Sequence, residues 1–319
     1  MNLDEHLDPE VAAALIASGI DSVSYPSDPE GVPEFRRNRV MVSIPIDPAS
    51  PITIRDVAVP GPIGDPDVIV RVYSPPASQQ PRPCCYWIHG GGYIFGTIDT
   101  TDARCVQTAA TLDCVVVSVD YRLAPEDPFP APLEDCYAGL AWTASHADEL
   151  GIDPRRIAIV GQSAGGGLAA GLALLVRDRG ELPVCFQLLI YPMIDDRNTT
   201  PSSHLVTKVW TRETNLLGWR CYLGHEPGIA DVSHYAAPAR AEDLHGLPPA
   251  FIGVGTLDVF RDENIDYALR LLAAGVPTEL HVYAGAPHGF EGLAPQADVS
   301  RRFNRDIAEA LRRAMYPRW

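Results

Sequence analysis

Apolar positions along the chain follow two different rhythms. Between about Arg39 and Tyr73 short extended runs, Val40-Met41-Val42, Ile52 to Val57 and Val68 to Val72, are separated by Pro and Gly clusters. The last two predict an antiparallel pair of opening strands; the Val40 run is left out of the strand count. Further on, compact apolar runs alternate with helical stretches. The runs are Cys84 to Ile88, Cys114 to Val119, Arg156 to Val160, Cys185 to Ile190, Phe251 to Val254 and Glu279 to Tyr283. Helices are predicted near Asp102 to Leu112, Leu133 to Ala147, Ser163 to Arg179, Glu263 to Ala274 and Asp298 to Met315. Such alternation implies crossover connections and a parallel sheet covered on both faces. The expected core is an α/β domain with eight strands, mostly parallel.

Two segments break the alternation, the first residues up to about Arg39 and the span from about Asp195 to His234. A long connection inside a compact α/β domain is usually a lid or insertion. The division expected is therefore a cap segment at 1–45, a cap insertion at 195–235, and a catalytic core at 46–194 and 236–319. In the first segment Asp8, as cap, and Pro9, at the first helical position, predict a short helix continuing over Val11 to Ala17. In the second, Leu216, Trp219 and Leu223 recur at helical spacing behind Thr211, a capping residue.

Composition narrows the class. With 46% hydrophobic and 21% charged residues the chain is far from the mixtures that stay disordered, and one large core accommodates its 319 residues. A formal charge of −16 argues against nucleic acid or an anionic membrane as partner, since both call for Lys and Arg patches. No stretch approaches the about 18 apolar residues of a membrane span, and the acidic first ten residues do not resemble a signal peptide. A cytoplasmic protein is expected, without stable membrane insertion. Seven cysteines, odd in number and without metal-ligand spacing, read as reduced and mostly buried thiols. No HExxH or clustered His-carboxylate spacing suggests a metal.

Candidate chemistry centres on Gly161-Gln162-Ser163-Ala164-Gly165, between a predicted strand and a predicted helix. A bare GxSxG is a weak signal; a serine at a sharp strand-to-helix turn is a strong one. The turn forces strained dihedrals on Ser163 and needs glycines beside it, because larger side chains would collide with the neighbouring elements. It also puts the Ala164 amide at a helix N-terminus, where developing negative charge is favoured. A second set of amides lies in His89-Gly90-Gly91-Gly92, a turn leaving a buried strand. Gly90 and Gly91 are the candidate partners of Ala164 in an oxyanion hole, and His89 is expected to pin the turn.

A serine hydroxyl needs a base to take its proton, and the chain has nine histidines. In a strand-turn-helix hydrolase the acid and then the base follow the serine, each after a late strand. His288, just past the strand ending at Tyr283, fits; His281 lies inside that strand. For the orienting acid, Asp258 is closest to the end of its strand. Asp262 remains the alternative, although Asp262 and Glu263 are also explained as charges in the first turn of the next helix.

Together these residues resemble the hormone-sensitive-lipase family of esterases, the bacterial group IV lipolytic enzymes of the α/β-hydrolase fold. The resemblance rests on His89-Gly90-Gly91-Gly92, Asp120-Tyr121-Arg122-Leu123-Ala124-Pro125-Glu126, the Ser163 elbow continued by Gly166, Asp258 with Arg261-Asp262-Glu263, and His288-Gly289-Phe290. It implies a helical cap, hydrolysis of short acyl esters of small molecules, no cofactor, and often a homodimer. The run from Gly161 to Leu168 and Tyr235-Ala236-Ala237-Pro238 resemble an acetylesterase branch. The chain departs from the family at Gln162, where most members carry Asp, and at Val259-Phe260, where they carry Pro-Leu. The Tyr121 to Glu126 segment is read as scaffold. The rival readings are a receptor-like member that binds without turnover, and an amidase or acyltransferase on the same three residues.

Overall fold

The computed structural model describes residues 6–19, 24–38, 45–207 and 209–316. Its central strands are apolar at consecutive positions because alternate side chains enter two different cores. In β3 (Arg82–Ile88), Cys84, Tyr86 and Ile88 join one core while Cys85 and Trp87 join the other. The sheet also contains β1 (Thr53–Val59), β2 (Val68–Ser74), β4 (Val115–Asp120), β5 (Ile152–Gln162), β6 (Phe186–Ile190), β7 (Ala250–Leu257) and β8 (Thr278–Pro287). Their order is β1-β2-β4-β3-β5-β6-β7-β8, with β2 antiparallel to both neighbours and every other pair parallel. This is the mostly parallel eight-stranded sheet of an α/β-hydrolase fold. The Val40-Met41-Val42 run lies outside the described residues.

Ten α-helices are described: α1 (Pro9–Ser18), α2 (Val32–Asn38), α3 (Asp102–Leu112), α4 (Ala131–Ser145), α5 (Ala147–Leu150), α6 (Ala164–Arg179), α7 (Arg212–Leu223), α8 (Arg261–Ala273), α9 (Phe290–Leu293) and α10 (Asp298–Met315). Side chains of α4, α6, α7 and α8 fill one core, and those of α1, α3, α9 and α10 fill the other. On α10, Val299, Phe303, Ile307 and Leu311 are buried at helical spacing, so one stripe faces the sheet. Every residue of α6 from Ala164 to Val176 is buried, which explains its run of Gly, Ala and Leu. Asp8 caps α1 as expected, accepting from the amides of Glu10 and Val11.

The strands run further at the ends that matter than their apolar pattern suggests. β7 continues through Gly255-Thr256-Leu257 and β8 through Gly285-Ala286-Pro287, paired with an irregularity between Gly255 and Leu257. A β-carbon on Gly255 would stand 2.0 Å from the Ala286 carbonyl, so the two strands close up only because this residue has none. The glycines hide the strand ends from an apolar pattern. The pairing of Leu257 with Pro287 then delivers Asp258 and His288 side by side.

All seven cysteines are free thiols, six of them buried. Among the described residues no helix is long and apolar enough to cross a membrane.

Candidate active site

Ser163 stands between β5 and α6 with φ 57° and ψ −120°, a conformation that L-residues adopt rarely. The fold holds it there from several sides. Its amide donates to the Ile190 carbonyl at 2.9 Å, and its carbonyl accepts from Gly167 and Met193 at 3.0 Å each. The flanking glycines are steric necessities. A β-carbon on Gly161 would lie 2.1 Å from the Gly165 carbonyl oxygen, and one on Gly165 would lie 2.2 Å from that of Ile88.

His288 follows β8, and its ring joins two groups. Nδ1 faces Asp258 Oδ2 at 2.8 Å and Nε2 faces Ser163 Oγ at 2.9 Å. Because an ionised carboxylate can only accept, the Nδ1 proton points at Asp258 and leaves Nε2 free to accept the serine hydroxyl. Asp258 is fully buried and its other oxygen accepts the Phe260 amide at 2.9 Å, which fixes the carboxylate plane. The edges of Tyr191 and Phe260 flank the imidazole, with centroids 4.6 and 5.1 Å away.

Asp262, the alternative acid, is engaged elsewhere. It accepts the Ser202 amide at 2.7 Å and pairs with Arg261. Glu263 is not merely a first-turn charge on α8. Its buried Oε1 accepts the amides of Ile194 and Asp195, and burial, with Asp195 nearby, raises its pKa well above the ordinary carboxyl value. His281 lies within β8, half-buried, between Glu279 and Asp306.

The glycine turn after β3 passes directly over the serine. A β-carbon on Gly90 would come within 3.3 Å of Ser163 Cβ, and Gly91 adopts φ 126°. Among the described residues nothing accepts from the Gly90 or Gly91 amides, and the Ala164 amide opens α6, where no intrahelical acceptor exists. His89 is buried and stacked on Tyr121 with centroids 4.2 Å apart, and its Nδ1–H donates to the Gly90 carbonyl at 2.8 Å. Burial lowers the pKa of this ring to about 4, so it stays neutral and acts as a hydrogen-bonding pin. The Tyr121 hydroxyl donates to the His89 carbonyl and Arg36 ties Ala124 and Glu126 to the Ile94 carbonyl, so this segment scaffolds the turn.

A cavity of about 290 Å³ opens over Ser163 and His288, lined also by Tyr25, Phe95, Thr100, Thr101, Val209 and Trp210. None of these lining residues belongs to a recognisable sequence motif. Trp210 sits against Gly92, where a β-carbon would lie 2.2 Å from its ring, and its indole N–H donates to buried Asn215 at 3.1 Å. Nothing in its local sequence marks it; only its packing against Gly92 and Tyr25 brings it to the site.

Residues 85–292 match the model of a family described by the alpha/beta hydrolase fold. The chain belongs to that family, in its hormone-sensitive-lipase-like group. It is 38% identical to Esterase LipI of Mycobacterium tuberculosis over 285 residues, 88% of each chain. It is 40% identical to Carboxylesterase NlhH of the same organism over 260 residues, 78% of this chain and 79% of the relative. The solved structure of bacterial heroin esterase is 43% identical, covers 98% of both chains and superposes with a TM-score of 0.88.

Proposed function

We infer that this carboxylic ester hydrolase cleaves short-chain acyl esters through an acyl-enzyme on Ser163. The observation that carries the reading is the continuous hydrogen-bonded line from Asp258 through His288 to Ser163 beneath the Gly90-Gly91 turn. Ser163 Oγ attacks the ester carbonyl carbon while its proton passes to His288 Nε2. The resulting oxyanion is held by the amides of Gly90, Gly91 and Ala164. Collapse breaks the bond to the alcohol oxygen, which leaves with the proton from His288. A water molecule, deprotonated by the same nitrogen, then attacks the acyl-enzyme; the acid departs and Ser163 Oγ recovers its proton. Asp258 holds the tautomer and balances the imidazolium. This chemistry asks for no cofactor.

The preference for short acyl groups is supported by the small cavity, about 290 Å³, with the bulky Trp210 in its wall. Residues 1–45 and 195–235 act as cap over the core at 46–194 and 236–319. Tyr25 and Phe35 from the first segment cluster with Phe95, and Tyr25 meets Trp210 from the second edge-on at 6.1 Å. The free thiols support a reducing, cytoplasmic setting.

A p-nitrophenyl ester series from acetate to long acyl chains, run beside Ser163→Ala and His288→Ala, tests the reading. Hydrolysis concentrated on short chains and reduced by roughly 10³-fold or more in both variants is expected. An inactive parent that still binds esters would replace it with the receptor-like alternative.

A further inference from the structure

Gln162, beside the nucleophile, and Glu291, three residues past His288, meet beneath the site. Glu291 is buried, and three donors converge on its Oε1: the Tyr191 hydroxyl at 2.5 Å, Gln162 Nε2 at 3.2 Å and Arg104 at 3.3 Å. Gln162 Nε2 also donates to the Tyr191 hydroxyl. Tyr191 in turn packs its ring against His288 in a T-shaped contact, with centroids 4.6 Å apart, on a backbone held at φ 34°.

We propose that Gln162, Tyr191 and Glu291 form a brace that ties the nucleophile turn to the histidine loop and so sets the alignment of Ser163 with His288. The two catalytic side chains come from different loops, and a displacement of about 1 Å between them can cost a hundredfold in rate. The brace crosses that joint directly, because Gln162 precedes Ser163 and Glu291 shares the short α9 loop with His288. A neutral amide at 162 is what the arrangement requires. An acid there would set two carboxylates at hydrogen-bond distance, and one would have to keep a proton or the pair would separate.

This inference rests on the serine-esterase reading, and a charge swap tests it separately. The charged and titratable groups facing the 162–291 pair are Arg104 from α3, Tyr191 from the loop after β6, and His288 itself; Asn304 of α10 only holds Arg104. In Gln162→Glu the pair shares a proton at low pH and repels at high pH. Its kcat relative to the parent, on p-nitrophenyl acetate, should therefore fall roughly ten- to a hundredfold as pH rises, with KM little changed. In the swap Gln162→Glu with Glu291→Gln, the ratio should become independent of pH. Stoichiometric release of p-nitrophenol from diethyl p-nitrophenyl phosphate counts intact serine sites, so misfolded variant protein is subtracted. A ratio for Gln162→Glu that does not vary with pH, or a swap that fails to flatten it, overturns the brace while leaving the esterase reading intact. A parent inactive on the ester, or undiminished by Ser163→Ala, overturns both.

Discussion

Gly165 shows how narrowly single residues define this site. Its missing β-carbon leaves room for the carbonyls of Ile88 and His89, at 2.2 and 2.3 Å from where that carbon would be. Backbone cannot yield as a flexible side chain would, so Gly165→Ala should destabilise by about 3 kcal/mol or more, measured as a lower midpoint in urea. A midpoint equal to the parent's would contradict the packing. His89 makes a second prediction. Its folded-state pKa of about 4 lies below the ordinary histidine value of 6.5, so the unfolded chain binds the proton more readily. The stability given by the neutral ring is complete above about pH 6.5 and lost as pH falls towards 4, roughly 3 kcal/mol in all. Replacement by Asn, which keeps an N–H donor, should flatten that part of the pH–stability curve relative to the parent. Parallel curves for the two proteins would remove His89 as the cause. Residues whose role follows from local backbone geometry were legible in the sequence: Ser163 and its glycines, the Gly90-Gly91 turn, His288 after its strand. Tyr191, Glu291 and Trp210 were not, because Tyr191 and Glu291 meet Gln162 from 29 and 129 positions away and Trp210 reaches the site only by packing on the distant Gly92.

Elements were legible to the degree that burial is periodic. Five of the six core runs appear as strands because both faces are covered, whereas Glu279 to Tyr283 belongs to the half-buried edge strand β8; the helices between them follow from their apolar stripes. Helix α7 was read from Thr211 and the spacing of Leu216, Trp219 and Leu223. Thr211 does cap α7, accepting the Thr214 amide at 3.2 Å, but Leu217, Cys221 and Tyr222 are more buried than Leu216 and Leu223. A helix wedged between the Gly90-Gly91-Gly92 turn and the core buries more than one narrow stripe, so the single-stripe reading catches the fully buried Trp219 and misses the wider buried face. Thr211→Ala should cost about 1 kcal/mol of stability. Just ahead of that capping residue, Trp210 lines the cavity, with its indole tethered through Asn215 to Asn198. Trp210→Ala opens space beside Gly92 and Gly218. The ratio of kcat/KM for p-nitrophenyl octanoate over acetate should then rise by roughly tenfold or more, the scale that a single methylene carries in an apolar pocket. An unchanged ratio would mean that another wall limits the chain.

At the scale of the whole molecule the sheet ends in an open edge. β8 pairs only with β7 among the described strands, its residues from Thr278 to Val282 are half-buried or exposed, and Leu269 and Leu272 of α8 are exposed nearby. An uncovered edge strand is a template for pairing, and a second copy related by a two-fold axis would meet it with the same strand. This supports the homodimer that the family resemblance implies. Each chain carries a formal −16, so approach of two copies is opposed at long range. Salt shortens the reach of that repulsion while leaving apolar burial intact, so dimerisation should tighten between low salt and about 0.15 M, where the screening length is about 8 Å. Light scattering at several salt concentrations should show the mass move from 34.6 kDa towards twice that value. Val282→Lys places a charge on the exposed edge and should shift the equilibrium to monomer by about tenfold or more in Kd. Ser163 and His288 lie beyond the opposite end of that strand, so p-nitrophenyl acetate hydrolysis per chain should persist. A parent that stays at the mass of one chain at every salt concentration would assign the open edge to a monomer and leave Glu279, His281 and Arg313, paired along it, as its protection against aggregation.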